Sequence, residues 1–316
     1  MSRTKVKAKK AKKIIWTVDA FDTINADHTK VPELLKAIGN SCKIEIDPVY
    51  VLSPYELEVS VDFTAPWINH YKPAAEASLN QKLKNVKIEG LLPGKVIIQN
   101  KHSLTSNVKS LVNYAKNESA DMIVLSTHAR KGLSRLILGS FAESLILNSK
   151  VPVMTLNSDV KVSKEIQKIL FPTDFSSKSK DAFKNILSFA KDTGASVTIL
   201  HSLSNPIEPV FQSGVYLLGG GWVSVPAYLD KERDKLTQLG ETWAKEGNKQ
   251  GVKTTFLLDT KNPSVIESVH ANTKSGKPDL IAIAAQSGRV ASALIGSITR
   301  EVVRTANCPV LVIREK

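Results

Sequence analysis

The sequence predicts an α/β fold of two tandem, doubly wound parallel-sheet domains, and three observations carry that expectation. Four landmarks recur along the chain at nearly constant spacing. Apolar runs of strand length alternate with stretches of helical periodicity in both halves. The chain has 316 residues, long enough for two cores of ordinary size.

The repeat comes first because it decides the architecture. Ile14-Ile15-Trp16-Thr17-Val18-Asp19 and Ile169-Leu170-Phe171-Pro172-Thr173-Asp174 are strand-like runs ending in aspartates 155 residues apart. Asp121-Met122-Ile123-Val124-Leu125 and Asp279-Leu280-Ile281-Ala282-Ile283 stand 158 apart. Gly139-Ser140 matches Gly296-Ser297 at 157, and Pro152-Val153 matches Pro309-Val310 at 157. These landmarks divide the chain into a basic arm (1–13), a first domain (14–158), a linker (159–168) and a second domain (169–316).

In the first copy, strands are expected near Ile14–Val18, Ile44–Val51, Val96–Ile98, Met122–Ser126 and Val151–Leu156. Pro32 confines the first helix to a late start. In the second copy, Ala182, Phe183, Ile186, Leu187, Phe189 and Ala190 recur at helical spacing, between an N-cap at Ser176 or Ser177 and a stop at Gly194. A strand follows at Val197–Leu200, then a polar helix from Lys231 to Lys249 and a strand at Thr254–Leu258. Val265–Val269 opens another helix, Leu280–Ala284 is a strand, and a helix from Gly296 to Thr305 leads to the strand Val310–Ile313. Strands alternating with helices and buried on both faces define a parallel sheet.

Each copy carries an irregular segment between its second strand and its long helix. The first contains Pro54, Pro66, Trp67 and Pro73; the second contains Pro206, Pro209, Gly219, Gly220, Gly221, Trp222 and Pro226. Three consecutive glycines invite a phosphate cradle, but such a cradle needs a helix start behind it. Val223-Ser224-Val225-Pro226 reads as no helix opening, so a mobile loop is the expectation.

Composition narrows the class. Hydrophobic residues make up 42% and charged residues 23%, a soluble globular balance, and no run approaches the ~20 apolar residues of a spanning helix. The basic start runs straight into Ile14-Ile15-Trp16-Thr17, without a signal-peptide apolar region. Cys42 and Cys308 form neither a disulfide framework nor a metal-ligand spacing, which fits a cytoplasmic location. The net charge is +13, and Arg3, Lys5, Lys7, Lys9, Lys10, Lys12 and Lys13 concentrate seven of those charges on the arm. Such an arm can bind polyanions by counterion release. With no reader motif or interleaved aromatics it reads as a solubilising tail, and nucleic acid is not the expected partner.

In an open parallel sheet a ligand sits beyond the carboxyl ends of the strands, where strand order reverses. Asp19 and Asp174 end the first strands, positioned for nucleoside hydroxyls or an adenine amine; a turn or capping role is the alternative. The fourth strand of the first copy runs into Ser126-Thr127-His128-Ala129-Arg130-Lys131-Gly132, and Gly139-Ser140 then opens a helix whose N–H groups face an anion. Arg130 and Lys131 add positive charge at that mouth; His128 either touches a phosphate or bonds the backbone. His201 reads as structural. No nucleophile with a base, zinc spacing or paired carboxylates is evident, so an enzyme proper ranks last.

Strand, Thr-His-x-Arg-x-Gly-Leu, Leu-Gly-Ser-x-Ala-Glu and a closing Pro-Val resemble the second half of universal stress protein domains, and Leu170-Phe171-Pro172-Thr173-Asp174 resembles their opening strand. The resemblance spans nearly the whole chain as a tandem pair and implies the adenine-nucleotide alpha hydrolase-like fold. It also implies pairing through last strands, here Val151–Leu156 with Val310–Ile313, as an internal pseudo-dimer. Nucleotide-binding members carry Gly, two residues, Gly, nine residues, Gly, then Ser or Thr. The matching positions are Ser126, Ala129, Gly139 and Ser140, so the spacing is kept and two glycines are replaced by small residues.

The resemblance therefore implies ATP or a related adenine nucleotide in the first copy, around Asp19, Leu125, Ser126, His128, Ala129, Arg130, Gly139 and Ser140. Magnesium is expected only as the nucleotide's companion, with little or no catalysis. In the second copy the corresponding set is Asp174, Ala284, Gly288, Arg289, Gly296 and Ser297, but Asp279 to Gly296 spans 17 positions against 18 from Asp121 to Gly139. That site is expected to be degenerate. A ligand-independent interaction protein is the second reading; a further homodimer and a protein partner stay open.

Overall fold

A computed structural model describes residues 11–22, 30–56, 65–127, 139–157, 160–203, 215–218, 221–285 and 295–314. The first copy runs β1 (Lys12–Thr17), α1 (Val31–Gly39), β2 (Ile44–Leu52), α2 (Ala65–Leu83), β3 (Lys95–Ile98), α3 (Leu104–Asn117), β4 (Met122–Ser126), α4 (Ser140–Asn148) and β5 (Val153–Leu156). The second runs β6 (Lys168–Pro172), α5 (Ser177–Thr193), β7 (Ser196–Ser202), β8 (Val215–Leu218), β9 (Gly221–Ser224), α6 (Val225–Lys249), β10 (Thr254–Asp259), α7 (Val265–Gly276), β11 (Leu280–Ala284), α8 (Ser297–Thr305) and β12 (Val310–Ile313).

Among the described residues ten strands form one sheet, ordered β10-β7-β6-β11-β12-β5-β4-β1-β2-β3. Within each half of this sheet every pairing is parallel; the halves meet where β5 and β12 run antiparallel. That seam has a specific register. Met154 lies opposite Leu311, with Val153 opposite Val312 and Thr155 opposite Val310. Met154 and Leu311 are equivalent positions, 157 residues apart, so the pseudo-two-fold axis relating the copies passes between them. The internal pseudo-dimer is thus present.

Strand alternation sends side chains to two faces. Ile14 and Trp16 join the apolar layer under α1, α2, α5 and α6, and Ile15 joins the layer under α3, α4, α7 and α8. Both layers cross the seam without a break. The linker is part of one of them. Val160 and Ile166 are buried in the same cluster as Met154 and Leu311, Lys161 N donates to Asn307 O at 2.8 Å, and Asn40 Nδ2 donates to Lys164 O at 3.0 Å.

Local chemistry explains the helix ends. Ser176 accepts from Ser179 N, and Gly194 closes α5 at φ 75°, a left-handed conformation glycine adopts without strain. Pro32 lies in the first turn of α1. Each copy also repeats a strand clamp. Lys13 N and Lys168 N donate to the carboxylates of Asp121 and Asp279, whose own N–H groups donate back to Lys13 O and Lys168 O.

Three expectations are corrected. β1 begins at Lys12, so Lys12 and Lys13 belong to the sheet and not to the arm; Lys12 pairs with Asp192 at 2.7 Å, and Lys13 with Glu118 and Glu45. Pro66, Trp67 and Pro73 lie inside α2. Pro73 is exposed, where a carbonyl deprived of its helical N–H partner can turn to water. In the second copy, Val225 and Pro226 do open a helix, because proline in a first turn gives up an N–H that has no helical acceptor. Gly221 and Trp222 belong to a hairpin in which β9 pairs antiparallel with β8, Leu218 opposite Gly221. Pro206, Pro209, Gly219 and Gly220 lie outside the described residues.

Candidate functional site

The strand order of the first half, β3-β2-β1-β4-β5, reverses between β1 and β4, which pair directly from Ile14 opposite Met122 to Trp16 opposite Val124. The crevice at their carboxyl ends is where an open parallel sheet takes a ligand. Asp19 follows β1, half-buried at one side of it, and Ser126 ends β4 at the other. Thr17 Oγ1 donates to Val124 O at 3.4 Å and ties the two strands just below. The second half repeats the reversal between β6 and β11, placing Asp174 and Ala284 at the corresponding ends.

The two aspartates have different surroundings. Asp19 Oδ1 accepts from Phe21 N at 2.9 Å, an Asx turn that steers the chain off the sheet. Helix α2 holds that segment from the side: Ser78 Oγ donates to Ala20 O at 2.6 Å, and the nearly buried Lys82 ammonium donates to Asp22 O. Asp174 Oδ1 accepts from Ser176 N at 3.0 Å and from Ser179 Oγ at 2.6 Å, so its carboxylate organises the first turn of α5. Ser78 and Lys82 were not expected at this place. They lie some sixty residues from the segment they hold, and nothing in local periodicity points to them.

Beyond β4, Thr127 N donates to Leu156 O at 2.7 Å, and the hydroxyls of Ser126 and Thr127 reach the same carbonyl at 3.5 and 3.2 Å. Leu125 points into the core, so only its backbone can serve a ligand; Ala284 is likewise buried. Gly139 is the N-cap of α4 at φ −59° and ψ 141°, and no described atom lies within 4 Å of a Cβ added there. Those angles suit any residue, so neither backbone strain nor packing among the described residues calls for glycine. Ser140 is exposed at the start of α4, where unpaired N–H groups and the helix dipole favour negative charge. Gly296 caps α8 in nearly the same conformation, with Ser297 exposed. His128, Ala129, Arg130, Gly288 and Arg289 lie outside the described residues.

His201 behaves as a structural residue. Its Nδ1 lies 2.7 Å from Thr173 O, and its ring stacks on Phe175 at 5.1 Å. Burial raises the Cys308 thiol to about 12, with the nearby Asp279 carboxylate adding to the shift. It is therefore a poor nucleophile. Among the described residues no helix is long and apolar enough to cross a membrane.

A tandem α/β chain of this strand order, with a reversal in each half, matches a known family. The model of the universal stress protein family matches residues 34–157 and again 165–314. The chain belongs to the universal stress protein family, as a tandem two-domain member. A crystal structure of a universal stress protein from Archaeoglobus fulgidus is similar over 96% of this chain and 98% of its own, with 16% identity and a TM-score of 0.64. A putative universal stress protein from Pseudomonas aeruginosa is similar over 96% and 93%, with 14% identity and a TM-score of 0.57. At such identities these likenesses speak for the fold. A universal stress protein of Methanocaldococcus jannaschii is 39% identical over 51 residues, which is 16% of this chain and 30% of that relative's length.

Proposed function

We propose that the first copy binds ATP or a related adenine nucleotide, with little or no catalysis, and that occupancy alters what the chain interacts with during stress. The observation that carries this reading is Gly139. It opens α4 directly after the switch crevice, yet the described fold has no need of a glycine there. A phosphate group that must approach the backbone closely supplies that need. In this reading Asp19, which follows β1, takes the nucleoside, and Ser126 and Ser140 take the phosphates. His128, Ala129 and Arg130 complete the loop in this reading. Magnesium arrives with the nucleotide.

The second copy is read differently. Asp174 is engaged by Ser176 and Ser179, and the loop ahead of Gly296 is one residue short, so Asp174, Ala284, Gly288, Arg289, Gly296 and Ser297 form a degenerate site. That half serves as scaffold. A wholly ligand-independent interaction protein is the competing reading.

Isothermal calorimetry with ATP separates the two. The full chain is expected to release binding heat that Asp19→Ala abolishes and Asp174→Ala leaves in place. Restoring glycine at positions 126 and 129 is expected to tighten binding. No heat from the wild type leaves only the scaffold reading.

A further inference from the structure

Phe21 follows Asp19 beyond the carboxyl end of β1 and is the most exposed large apolar side chain among the described residues, at 43%. A single surface phenylalanine needs no explanation in itself. This one has its backbone fastened at three points. Its own N–H donates to Asp19 Oδ1 at 2.9 Å. The carbonyl before it, Ala20 O, accepts from Ser78 Oγ at 2.6 Å, and the carbonyl after it, Asp22 O, accepts from the ammonium of Lys82, a residue only 8% exposed. The ring stands edge-on to Tyr50, with centroids 5.7 Å apart and planes at 89°. Tyr50 is itself buried near the end of β2. An exposed aromatic ring is thus held in one place by α2 and by the strand next to its own.

The second copy uses this position differently. Ser176, 155 residues later, makes the same turn on Asp174 Oδ1, and its hydroxyl then caps α5 by accepting from Ser179 N. In the first copy the equivalent helix opens only at Val31, after Lys30, whose side chain makes no capping hydrogen bond. One copy therefore carries an aromatic ring beside its aspartate where the other carries a helix cap. A phenylalanine in place of a capping serine gives up stability, and here the ring is not buried to offset it.

Resting on the nucleotide reading of the first copy, we infer that Phe21 is the platform on which the base stacks and the residue that sets base selectivity there. Strand order gives the direction. The helix start at Gly139-Ser140 follows β4, on one side of β1, and β2 with Tyr50 lies on the other. A nucleotide with its phosphates at α4 and its sugar at Asp19 brings its base to the β2 side. An exposed ring there offers a π-face and keeps water from one side of the base. Stacking of this kind reads the size of the base and not its hydrogen-bonding edge, so purines gain more than pyrimidines. Ser176 gives the second copy no such face.

Calorimetry on the full chain with ATP and UTP tests this, using Phe21→Ala, Phe21→Leu and Phe21→Trp. The wild type is expected to bind ATP more tightly than UTP. Phe21→Ala is expected to weaken ATP by roughly 5- to 100-fold and to narrow its advantage over UTP. Phe21→Leu keeps the apolar character without a planar ring and is expected to behave as Phe21→Ala does, whereas Phe21→Trp retains ATP binding. Thermal unfolding of each variant is expected to stay within about 3 °C of wild type, since the ring is exposed. ATP affinity within twofold of wild type in Phe21→Ala or Phe21→Leu, or ATP and UTP weakened by the same factor, overturns the inference and leaves the nucleotide reading standing. Absence of ATP heat from the wild type overturns both.

Discussion

The side-chain amide of Asn248 serves Thr254 as a missing neighbouring strand would. It donates to Thr254 O at 2.9 Å and accepts from Thr254 N at 3.1 Å. Lys253 O and Asp259 O both accept from β7 or the residue that follows it, so the backbone of Thr254, Phe256 and Leu258 faces outward from this edge of the sheet. Asn248 therefore covers the first of these outward positions, a side-chain answer to the hazard of an open strand edge.

Replacing Asn248 by alanine is expected to cost about 1–2 kcal/mol, since both backbone groups of Thr254 lose their partner. The larger consequence is association. The edge then presents Thr254, Phe256 and Leu258 in series beside Leu257, which is 39% exposed. Urea unfolding measures the first effect. Light scattering against protein concentration measures the second, with Asn248→Ala expected to associate at concentrations where the wild type does not.

Asp259 predicts a pH dependence with a definite sign. Burial of its carboxyl raises the pKa, but hydrogen bonds from Ser268 Oγ, Lys261 N and Asn262 outweigh burial and bring it from 3.8 to about 2. A folded value below the unfolded one means that the stabilisation is fully present above about pH 4 and is lost as pH falls through the folded value. The contribution is about 2 kcal/mol by linkage. Asp259→Asn is expected to remove this part of the acid dependence between pH 4 and 2, measured by urea unfolding at a series of pH values. An unchanged slope would mean that other carboxylates dominate.

Two glycines predict opposite outcomes. Gly139→Val is expected to leave thermal stability within about 0.5 kcal/mol of wild type, because its backbone is ordinary and no described atom opposes a side chain. The same change is expected to remove ATP binding in calorimetry. Gly90→Ala is the reverse case. Gly90 has φ 81°, and a Cβ there would lie 2.2 Å from Ile44 O, so a loss of roughly 2 kcal/mol or more is expected without a direct effect on the crevice. A Gly139→Val chain that unfolds early, or one that binds ATP as tightly as wild type, would remove glycine 139 from the site.

Legibility followed the range of the physics involved. The strands at Met122–Ser126, Leu280–Ala284 and Val310–Ile313 are legible to the residue, because a continuous apolar run of strand length and its flanking breakers act within a few positions. Ser176 and Gly194 were legible as caps for the same reason. The opening of α6 at Val225-Pro226 is not legible in the same way: a proline fits a helix only in the first turn, and only the structure puts it there. In the candidate site, Asp19 and the Gly139-Ser140 helix start were legible from motif and spacing. The grip of Ser78 and Lys82 on the segment behind Asp19 was not, since it depends on where α2 packs.

By itself the sequence determined the repeat, the order of the elements, the placement of an aspartate after each first strand, and the unequal loop spacing between the copies. These are local or periodic properties, written in stretches of a few residues and in the constant offset between them. Only the tertiary structure decided what meets across the seam: Met154 with Leu311, Glu143 with Arg300, and Val160 and Ile166 buried in a shared core instead of spanning a loose linker. The reason is register. Which residues of β5 and β12 face one another is set by the antiparallel pairing of two remote edges, and a shift by one position would move the axis off Met154 and Leu311 and separate equivalent residues.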